Sequence, residues 1–467
     1  MTLSPRVAAA VGYFAGVVFF ALDFSWFGET AGKLLGPLGF VLDVGPAAVE
    51  GLAFALAAAI TALAAQRLRG GWLPLVAAAG FTLAELLRSS GLLGVPLYQI
   101  GAAFVGTPLA PLAAVGGVYL LTFVVALAGA ALGAVAVETD LRSAAVRAGG
   151  FIAAVAAVAC AATLIWPARH IPPPTVRVAA VQANITQSVK WEPASLPRAV
   201  ARYTQLTATL RPFRPQFVVW PETVITTDLL LDPTLTALPA NAALAADGAR
   251  LRRQFSDLAQ SLGAVVAVGS DEATVNASYN GLFFFGQHGL ESVYRKRKLV
   301  PFAEFLPGPA WLRSLPFASL ISNFGAGTPL PPIDARLRVA PLICWETGFT
   351  DLAYEDAAAG AAFFAIATDD AWFGDSDGPY AQAQLAQLRA LETGRWIVRA
   401  AATGISGVIA PDGRWRAHSN LDTVAVVRGA IGEPQPTIYS RIGPWWVGSA
   451  LALVVLAGFG IGRRSRA

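Results

Sequence analysis

The chain has 467 residues, of which 55% are hydrophobic and only 14% are charged, and its formal net charge is +4. A hydrophobic share this high excludes an ordinary soluble protein and indicates an integral membrane protein. The small net charge by itself says little about partners, but the placement of the basic residues is informative.

Six long runs are almost free of charge and reach the length of about 17–25 residues that crosses a hydrocarbon core. Five of them precede a stretch of ordinary polarity and one follows it. We therefore predict membrane helices over residues 1–168, a polar domain over residues 169–443, and a last helix with a basic tail over residues 444–467. The predicted spans are Val7–Phe27, Ala47–Ala65, Trp72–Leu93, Leu109–Val137, Arg147–Trp166 and Trp445–Ile461.

Basic residues occur in every second loop between these spans, whereas the opposite short loops hold only Lys33. The basic positions are Arg6, Arg67, Arg69, Arg142, Arg147, Arg463, Arg464 and Arg466. Because short loops rich in Lys and Arg stay in the cytoplasm, we expect both termini there. The polar domain then faces outward, and we expect no nucleic acid partner on that side.

The polar domain alternates short β-rich runs with helical stretches. Its predicted strands are Val176–Gln182, Phe217–Trp220, Val265–Gly269, Leu282–Phe285, Leu337–Cys344, Ala362–Ala367 and Gly407–Ala410. Its predicted helices are Leu196–Leu210, Ala245–Leu262 and Pro379–Arg399. Apolar strands that alternate with helices indicate a layered α/β sandwich. Turns at Gln287–Leu290 and Pro411–Gly413 predict hairpins, so the sheets should be mixed.

Glu222 follows the apolar strand Phe217–Trp220. A carboxylate just past a buried strand end is a common place for a general base, because desolvation raises its pKa toward neutral pH. The alternative is a structural one, in which Glu222 is an acidic residue at a helix N-terminus before Thr223.

Four consecutive cations, Arg295–Lys298, follow Tyr294. Such a run usually forms a solvated face, or here a patch on anionic headgroups. A buried lysine beside a thiol would instead favour the thiolate and stabilise an oxyanion. The spacing does not choose between Lys296 and Lys298 for that role.

Cys344 ends an apolar strand, and the other cysteine, Cys160, lies within a predicted membrane span. A disulfide is therefore not expected, and a lone thiol at a strand end indicates a nucleophile. The alternative is a small buried hydrophobic residue, which is the usual state of a free cysteine. The polar residue Glu346, two positions later, favours the nucleophile.

The three histidines, at positions 170, 288 and 418, do not lie at strand ends near an acid. This argues against Ser-His-Asp and Cys-His catalysis. The sequence also lacks the CxxC and HExxH zinc patterns and a phosphate-binding glycine loop. We therefore expect no metal and no cofactor, and any chemistry must use Glu, Lys and Cys side chains.

A glutamate, a lysine and a cysteine, each at a strand end and in that order, resemble the carbon–nitrogen hydrolase (nitrilase) superfamily. The resemblance implies an αββα sandwich in the polar domain. Further motifs in the same order look like the apolipoprotein N-acyltransferase family. These motifs are Val181–Trp191, WPET at 220–223, YRKRKLVPFAEFLPG at 294–308, LICWE at 342–346, DDAWFG at 369–374 and Arg389–Glu392.

The family resemblance implies a role for each matching residue. Glu222 would be the general base, Lys296 the lysine beside the oxyanion and Cys344 the nucleophile, so the resemblance selects Lys296 over Lys298. Glu304 matches a second glutamate that supports the site. The family positions that shape substrate entry are Trp191, Trp345 and Glu346.

The resemblance also implies an acyltransferase of the inner membrane, whose catalytic domain lies on the periplasmic side. Phospholipid would donate an acyl chain to Cys344 as a thioester. The N-terminal amine of the diacylglyceryl-cysteine of a lipoprotein would then accept it. We expect a monomer without a cofactor. The alternatives are a membrane-anchored amidase of the same superfamily and a non-catalytic membrane scaffold or transporter.

Three residues depart from the family pattern: Ala303 stands where glycine is common, Trp345 replaces a smaller aromatic residue and Asp369 replaces an asparagine. They leave the three catalytic positions intact and bear on the shape of the pocket. The family usually has two further spans at its N-terminus, and Gly12–Gly16 resembles the third. We therefore expect the sequence to begin late relative to the family pattern.

Overall fold

The computed structural model of the chain describes residues 3–36, 38–68, 72–136, 141–165, 171–192, 194–236, 238, 241–314, 318 and 321–464. Its backbone contacts divide the chain into two compact units. The first unit comprises Met1–Arg169, Phe373–Asp377 and Thr437–Ala467, and the second comprises His170–Trp372 and Gly378–Pro436. The domain limits at residues 168 and 443 remain a sequence prediction.

The helices and strands follow one another along the chain, and the first six helices precede the first strand. The helices are α1 (Pro5–Asp23), α2 (Ser25–Leu35), α3 (Leu38–Ala65), α4 (Trp72–Arg88), α5 (Ala113–Ala136), α6 (Leu141–Ile165), α7 (Gln187–Lys190), α8 (Ser195–Ala208), α9 (Pro233–Thr236), α10 (Ala242–Leu262), α11 (Thr350–Ala358), α12 (Gly378–Thr393), α13 (Ile438–Ile442) and α14 (Trp445–Arg464). The strands are β1 (Val176–Gln182), β2 (Phe217–Val219), β3 (Ile225–Leu231), β4 (Val265–Ala273), β5 (Ser278–Gly286), β6 (Gly289–Arg295), β7 (Ile333–Ala335), β8 (Leu337–Ile343), β9 (Phe363–Thr368), β10 (Trp396–Ala401), β11 (Gly407–Ile409), β12 (Trp415–His418) and β13 (Ala425–Ile431).

Three helical segments among the described residues are long and apolar enough to cross a membrane. They are Pro5–Asp23, Val44–Ala65 and Ala110–Ala136. They coincide with three of the six predicted spans, and together with the apolar composition they indicate a membrane protein. The described apolar parts of α6 and α14, Ile152–Ala161 and Trp445–Gly460, are shorter, and α4 has 17 residues. The count of six spans therefore remains a prediction.

Two mixed sheets form the second unit. The first has the order β13-β1-β2-β4-β5-β6, with β3 beside β4, and the second has the order β12-β11-β10-β9-β8-β7. Strands β1, β2 and β4 run parallel, as do β8, β9 and β10. The two predicted hairpins are present as the antiparallel pairs β5–β6 and β11–β12.

The alternation of side chains along β1 explains the layering of this unit. Val178 and Ala180 lie in the core that both sheets share, whereas Ala179 and Val181 lie in the core that includes Phe255 of α10. Successive residues of a strand point to opposite faces, so a strand that is apolar throughout must be covered on both sides. On the second sheet, α12 contacts β10 and β11. The predicted αββα sandwich is confirmed.

The predicted helix Pro379–Arg399 is wrong at its C-terminal end. Helix α12 ends at Thr393, and the residues from Trp396 onward form strand β10. Gly394 has a φ of 66° and ends the helix in the left-handed conformation. The strand that follows pairs in parallel with β9 and is buried throughout. Tertiary pairing therefore overrides the helical pattern of the preceding residues.

Candidate active site

Glu222 lies in the turn after β2 and is 6% exposed. The next residue, Thr223, has a φ of 46°, a conformation that is uncommon outside glycine. This turn passes very close to β4: a Cβ atom on Gly269 would lie 2.8 Å from the Cα of Glu222 and 2.1 Å from the carbonyl oxygen of Pro221. Glycine at position 269 therefore allows the close approach that places the Glu222 carboxylate.

Lys296 directly follows β6 and is 1% exposed. Its Nζ lies 3.1 Å from Oε1 of Glu222 and 2.8 Å from Oε1 of Glu304. Lys298 lies outside this group, because its side chain is 25% exposed and pairs with Asp351 at 3.4 Å. The structure thus places the predicted base, the predicted lysine and the second glutamate together.

Asn280, on β5, also belongs to this group, and the sequence analysis missed it. Its Nδ2 donates hydrogen bonds to Oε1 of Glu222 at 2.7 Å and to Oε1 of Glu304 at 3.2 Å. The only local signal is an asparagine inside a strand, where asparagine is depleted. The backbone N–H of Val300 fixes the other oxygen of Glu304 at 2.8 Å.

Cys344 is the first residue of a 3₁₀ helix, Cys344–Gly348, that follows β8 directly. It is partly exposed, and its φ is 48°. Strained backbone of this kind persists only where the surrounding structure enforces it, and it concentrates at functional sites. The charges of Glu222 and Lys296 both act on the thiol, and the hydroxyl of Thr368 hydrogen-bonds to it.

Glu346 is fully buried and ties together the two segments that carry the lysine and the cysteine. Its Oε1 accepts the backbone N–H of Arg297 at 2.6 Å, and its Oε2 accepts that of Ile343 at 2.7 Å. The hydroxyl of Tyr294 donates to the same carboxylate at 2.9 Å. Since Arg297 follows the lysine and Ile343 precedes the cysteine, Glu346 acts as a backbone clamp. Its part in shaping substrate entry remains a prediction.

The two tryptophans predicted to shape substrate entry have different surroundings. Trp191 is 57% exposed, and the Nζ of Lys190 lies 5.4 Å from its ring centroid. Trp345 is 9% exposed, and its ring lies 6.3 Å from that of Phe349. The substrate role of both residues remains a prediction.

Asp369, which departs from the family pattern, is paired within the described structure. Its carboxylate lies 2.6 Å from the Nζ of Lys190 and accepts a hydrogen bond from Gln187 at 2.6 Å. Its backbone N–H donates to Oε2 of Glu222 at 3.0 Å. Because the contact with Glu222 uses the backbone, it does not depend on which side chain stands at position 369.

A second buried network reaches the cysteine through Thr368. The hydroxyl of Thr368 donates to Asp370 at 2.7 Å, and Asp370 pairs with Arg399 at 2.7 Å. Both members of this ion pair are fully buried. The sequence analysis did not find this network, because Arg399 lies on β10 and no motif links it to Thr368 at the end of β9 or to Asp370 in the DDAWFG motif.

The surroundings of Glu222, Lys296 and Cys344 shift the pKa of each group in a definite direction. Burial alone would raise the pKa of Glu222, but the Lys296 ammonium and the hydrogen bonds from Asn280 and Lys296 lower it below its ordinary value. Burial opposes the charge of Lys296, yet its carboxylate neighbours hold its pKa well above the ordinary value. Burial and Glu222 raise the pKa of the Cys344 thiol well above its ordinary value, although Lys296 acts in the opposite direction.

Lys296 favours the thiolate, as expected, but burial and Glu222 outweigh it, so the pKa of the thiol is raised. A protonated thiol beside an ionised carboxylate suits general-base catalysis, in which the proton leaves as the sulfur attacks. A buried ammonium such as that of Lys296 is also suited to stabilise negative charge on a carbonyl oxygen.

Comparison with known proteins identifies the family of the chain. Residues 177–432 match the carbon–nitrogen hydrolase family, and residues 1–131 match the apolipoprotein N-acyltransferase N-terminal domain. The apolipoprotein N-acyltransferase of Azotobacter vinelandii is 33% identical over 481 residues, which cover 98% of this chain and 87% of that protein. The one from Brucella suis is 33% identical over 483 residues, covering 97% and 85%. The chain therefore belongs to the apolipoprotein N-acyltransferase family.

Proposed function

We propose that this membrane protein transfers an acyl chain from a phospholipid, through a thioester on Cys344, to the N-terminal amine of the diacylglyceryl-cysteine of a lipoprotein. The observation that carries the proposal is the ion-paired group of Glu222, Lys296 and Glu304, in which the charges of Glu222 and Lys296 act on a strained and partly exposed cysteine. Family membership supports the acyl transfer.

In the first half-reaction the sulfur of Cys344 attacks an ester carbonyl of the phospholipid. A carbon–sulfur bond forms, Glu222 takes the thiol proton, and the carbonyl oxygen becomes an oxyanion opposite Lys296. When the carbon–oxygen bond breaks, Glu222 returns the proton to the departing alkoxide. The products are lysophospholipid and an acyl thioester.

In the second half-reaction the lipoprotein amine attacks the thioester. The carbon–nitrogen bond forms and the carbon–sulfur bond breaks, while Glu222 takes a proton from the amine and passes it to the sulfur. A thioester is activated enough to acylate an amine without ATP, so the proposed reaction requires no cofactor. Two half-reactions that share one covalent intermediate give ping-pong kinetics.

We place the protein in the inner membrane as a multi-pass monomer with its catalytic domain on the periplasmic side. The basic residues in alternate loops support this orientation. Both substrates carry acyl chains that stay in the bilayer, which explains why the catalytic domain is joined to apolar helices.

The test is the intact mass of the purified full-length protein after incubation with vesicles of phosphatidylethanolamine and phosphatidylglycerol. We expect one added acyl chain that maps to Cys344 and is released by hydroxylamine. A Cys160→Ala variant should still form it, because Cys160 lies on α6 and outside this site. An adduct that forms only on Cys160, or none at all, would refute the proposal.

Adding a synthetic diacylated lipopeptide with a free N-terminal amine should discharge this adduct and yield a triacylated peptide. Lysophospholipid release should then depend on the amine. If water discharges the adduct equally fast, or if a small amide is cleaved while phospholipid has no effect, the protein is a membrane-anchored amidase instead.

A further inference from the structure

We propose that Asn280 is a positioning residue that holds Glu222 and Glu304 as two separate carboxylates around Lys296, so that Glu222 remains the proton acceptor for Cys344. This inference rests on the function proposed above, and it assigns a residue to the reaction that carries no family motif in the sequence.

The first observation is the geometry of one amide nitrogen between two acids. Nδ2 of Asn280 lies 2.7 Å from Oε1 of Glu222 and 3.2 Å from Oε1 of Glu304. An amide nitrogen carries two hydrogens, so it can donate one to each carboxylate. The same two oxygens are those that contact the Lys296 ammonium. Asn280 and Lys296 therefore hold both carboxylates from two directions.

The second observation is the unused half of the same amide. Oδ1 of Asn280 is buried and has no hydrogen-bond partner in the part of the chain that the structure describes, and the residue is 3% exposed. An unsatisfied buried acceptor is unfavourable and calls for an explanation. Turning the amide over would place Oδ1 against two carboxylate oxygens. The unpaired oxygen thus follows from the requirement that the nitrogen face both acids.

The third observation is the charge balance around Glu222. The titratable and charged groups that act on it are Lys296 after β6, Glu304 in the following turn, Lys190 of α7, Asp271 of β4 and Cys344 after β8. Lys190 already pairs with a carboxylate, that of Asp369. One ammonium, that of Lys296, therefore serves two acids. Two carboxylates held around one ammonium tend to share a proton unless further donors stabilise both of them.

The consequence concerns the pH at which Glu222 can act. The Asn280 hydrogen bond lowers the pKa of Glu222, so removing it raises that pKa. A base must be unprotonated to act, and a higher pKa moves the acid limb of the reaction to higher pH. Asn280→Asp should have a larger effect than Asn280→Ala, because it adds a third carboxylate. A residue that only fills space would show the reverse order, since aspartate nearly keeps the volume and alanine does not.

The experiment measures the rate at which iodoacetamide alkylates Cys344 as a function of pH, with the site assigned by peptide mass. Losing a hydrogen bond to a charged group should move the acid limb up by about one to two pH units, so at a pH below the acid limb of the wild type the alkylation rate falls by about ten- to a hundredfold. At pH 8 the decrease in the alkylation rate should be much smaller. In the acyl-transfer reaction, the KM for phospholipid should not change. The matched control is Asn276→Asp, because Asn276 is exposed and lies in the loop before β5. This variant should behave like the wild type.

Two outcomes would overturn the inference. One is an equal decrease in the alkylation rate at every pH, and the other is a larger decrease in Asn280→Ala than in Asn280→Asp. Thermal unfolding of both variants identifies a loss that comes from misfolding. Failure of the proposed function gives a different result, because the wild type would then form no acyl adduct from phospholipid. An adduct on wild-type Cys344 together with an unmoved pH profile in both variants rejects only the role of Asn280.

Discussion

The sulfur of Cys344 holds its proton at rest, because burial and the neighbouring Glu222 outweigh the attraction of Lys296 for a thiolate. The proposed reaction therefore depends on a carboxylate that is ionised before the substrate arrives. Lys296 supplies that condition, since its ammonium lies 3.1 Å from Glu222 and lowers the pKa of the acid. The base thus owes its ionised state to Lys296, whereas the thiol keeps its proton in spite of that lysine.

The first prediction at the residue scale concerns Glu222. Glu222→Gln keeps the shape and removes the proton acceptor, so the rate of Cys344 acylation at neutral pH should fall by about 10²–10⁴. The acyl adduct measured by rapid quench and intact mass gives this rate. Glu192→Gln is the control, because the side chain of Glu192 is 52% exposed and lies in a surface ion pair. Equal rates for wild type and Glu222→Gln would exclude Glu222 as the base.

The second prediction separates the two lysines. Lys296→Met should lower kcat by about 10²–10³, which is the usual effect of losing one oxyanion donor. It also leaves two buried carboxylates without their ammonium, so the free energy of unfolding should fall by roughly 3–5 kcal/mol. Steady-state kinetics and denaturant unfolding measure the two effects. Lys298→Met should change both only slightly, and the reverse ranking would move the assignment to Lys298.

At the scale of the elements, the site depends on how strand ends and turns are held. The lysine follows β6 of the first sheet and the cysteine follows β8 of the second, so no single sheet sets their relation. Glu346 supplies a direct link, because its carboxylate accepts backbone N–H groups from both segments. Its role as a backbone clamp explains why a fully buried acid is tolerated there.

The third prediction follows from this clamp. Glu346→Ala leaves buried backbone N–H groups of Arg297 and Ile343 unpaired, and each such group costs about 1–3 kcal/mol. The unfolding free energy should fall by roughly 2–5 kcal/mol, and Cys344 should lose acylation although all three reacting residues are present. Glu355→Ala is a nearby control, since its side chain is 57% exposed. A stable variant with normal acylation would show that other contacts hold the two segments.

The fourth prediction tests the turn that carries Glu222. In Gly269→Ala the new methyl group would lie 2.1 Å from the carbonyl oxygen of Pro221, so the turn must move. A displacement of about 1 Å at a reacting group can lower a rate by about 10². We expect that order of loss in acylation, measured at saturating phospholipid. Gly432→Ala is the control, because its Cβ would lie 3.4 Å or more from its nearest neighbours. Full activity in Gly269→Ala would disprove the tight fit.

At the scale of the whole molecule, a catalytic domain is joined in one chain to helices that are apolar enough to cross a membrane. Two substrates with acyl chains make this arrangement useful, because the bilayer concentrates both at its surface. A soluble hydrolase of the same superfamily has no comparable need for such helices. The membrane segments are therefore part of the proposed function.

The fifth prediction concerns the side of the membrane. The basic loops predict that residues 169–443 lie outside the cytoplasm, so a protease added to intact spheroplasts should cleave within that range. A C-terminal green fluorescent protein fusion should fluoresce and stay protected, since the C-terminus is expected in the cytoplasm. Cleavage of the catalytic domain only after the membrane is permeabilised would reverse the predicted orientation.

Sequence patterns were sufficient for the features that depend on local burial. Strands covered on both faces, such as β2 and β9, are almost entirely apolar and were predicted. The outermost strands β6, β7, β12 and β13 were missed, because an edge strand is partly exposed and lacks a continuous apolar run. Strand β10 was missed because a helical pattern runs into it and only pairing with β9 decides its conformation.

By itself the sequence determined the family and the sandwich fold, and it predicted the three reacting residues, because each motif at a strand end is contiguous in the chain. Only the tertiary structure placed Asn280 between Glu222 and Glu304, which are 58 and 24 positions away. It also showed that the thiol is protonated at rest, since burial and the charges of distant residues set its pKa. Such contacts depend on the order of the strands in the two sheets, and a local pattern of residues does not predict that order.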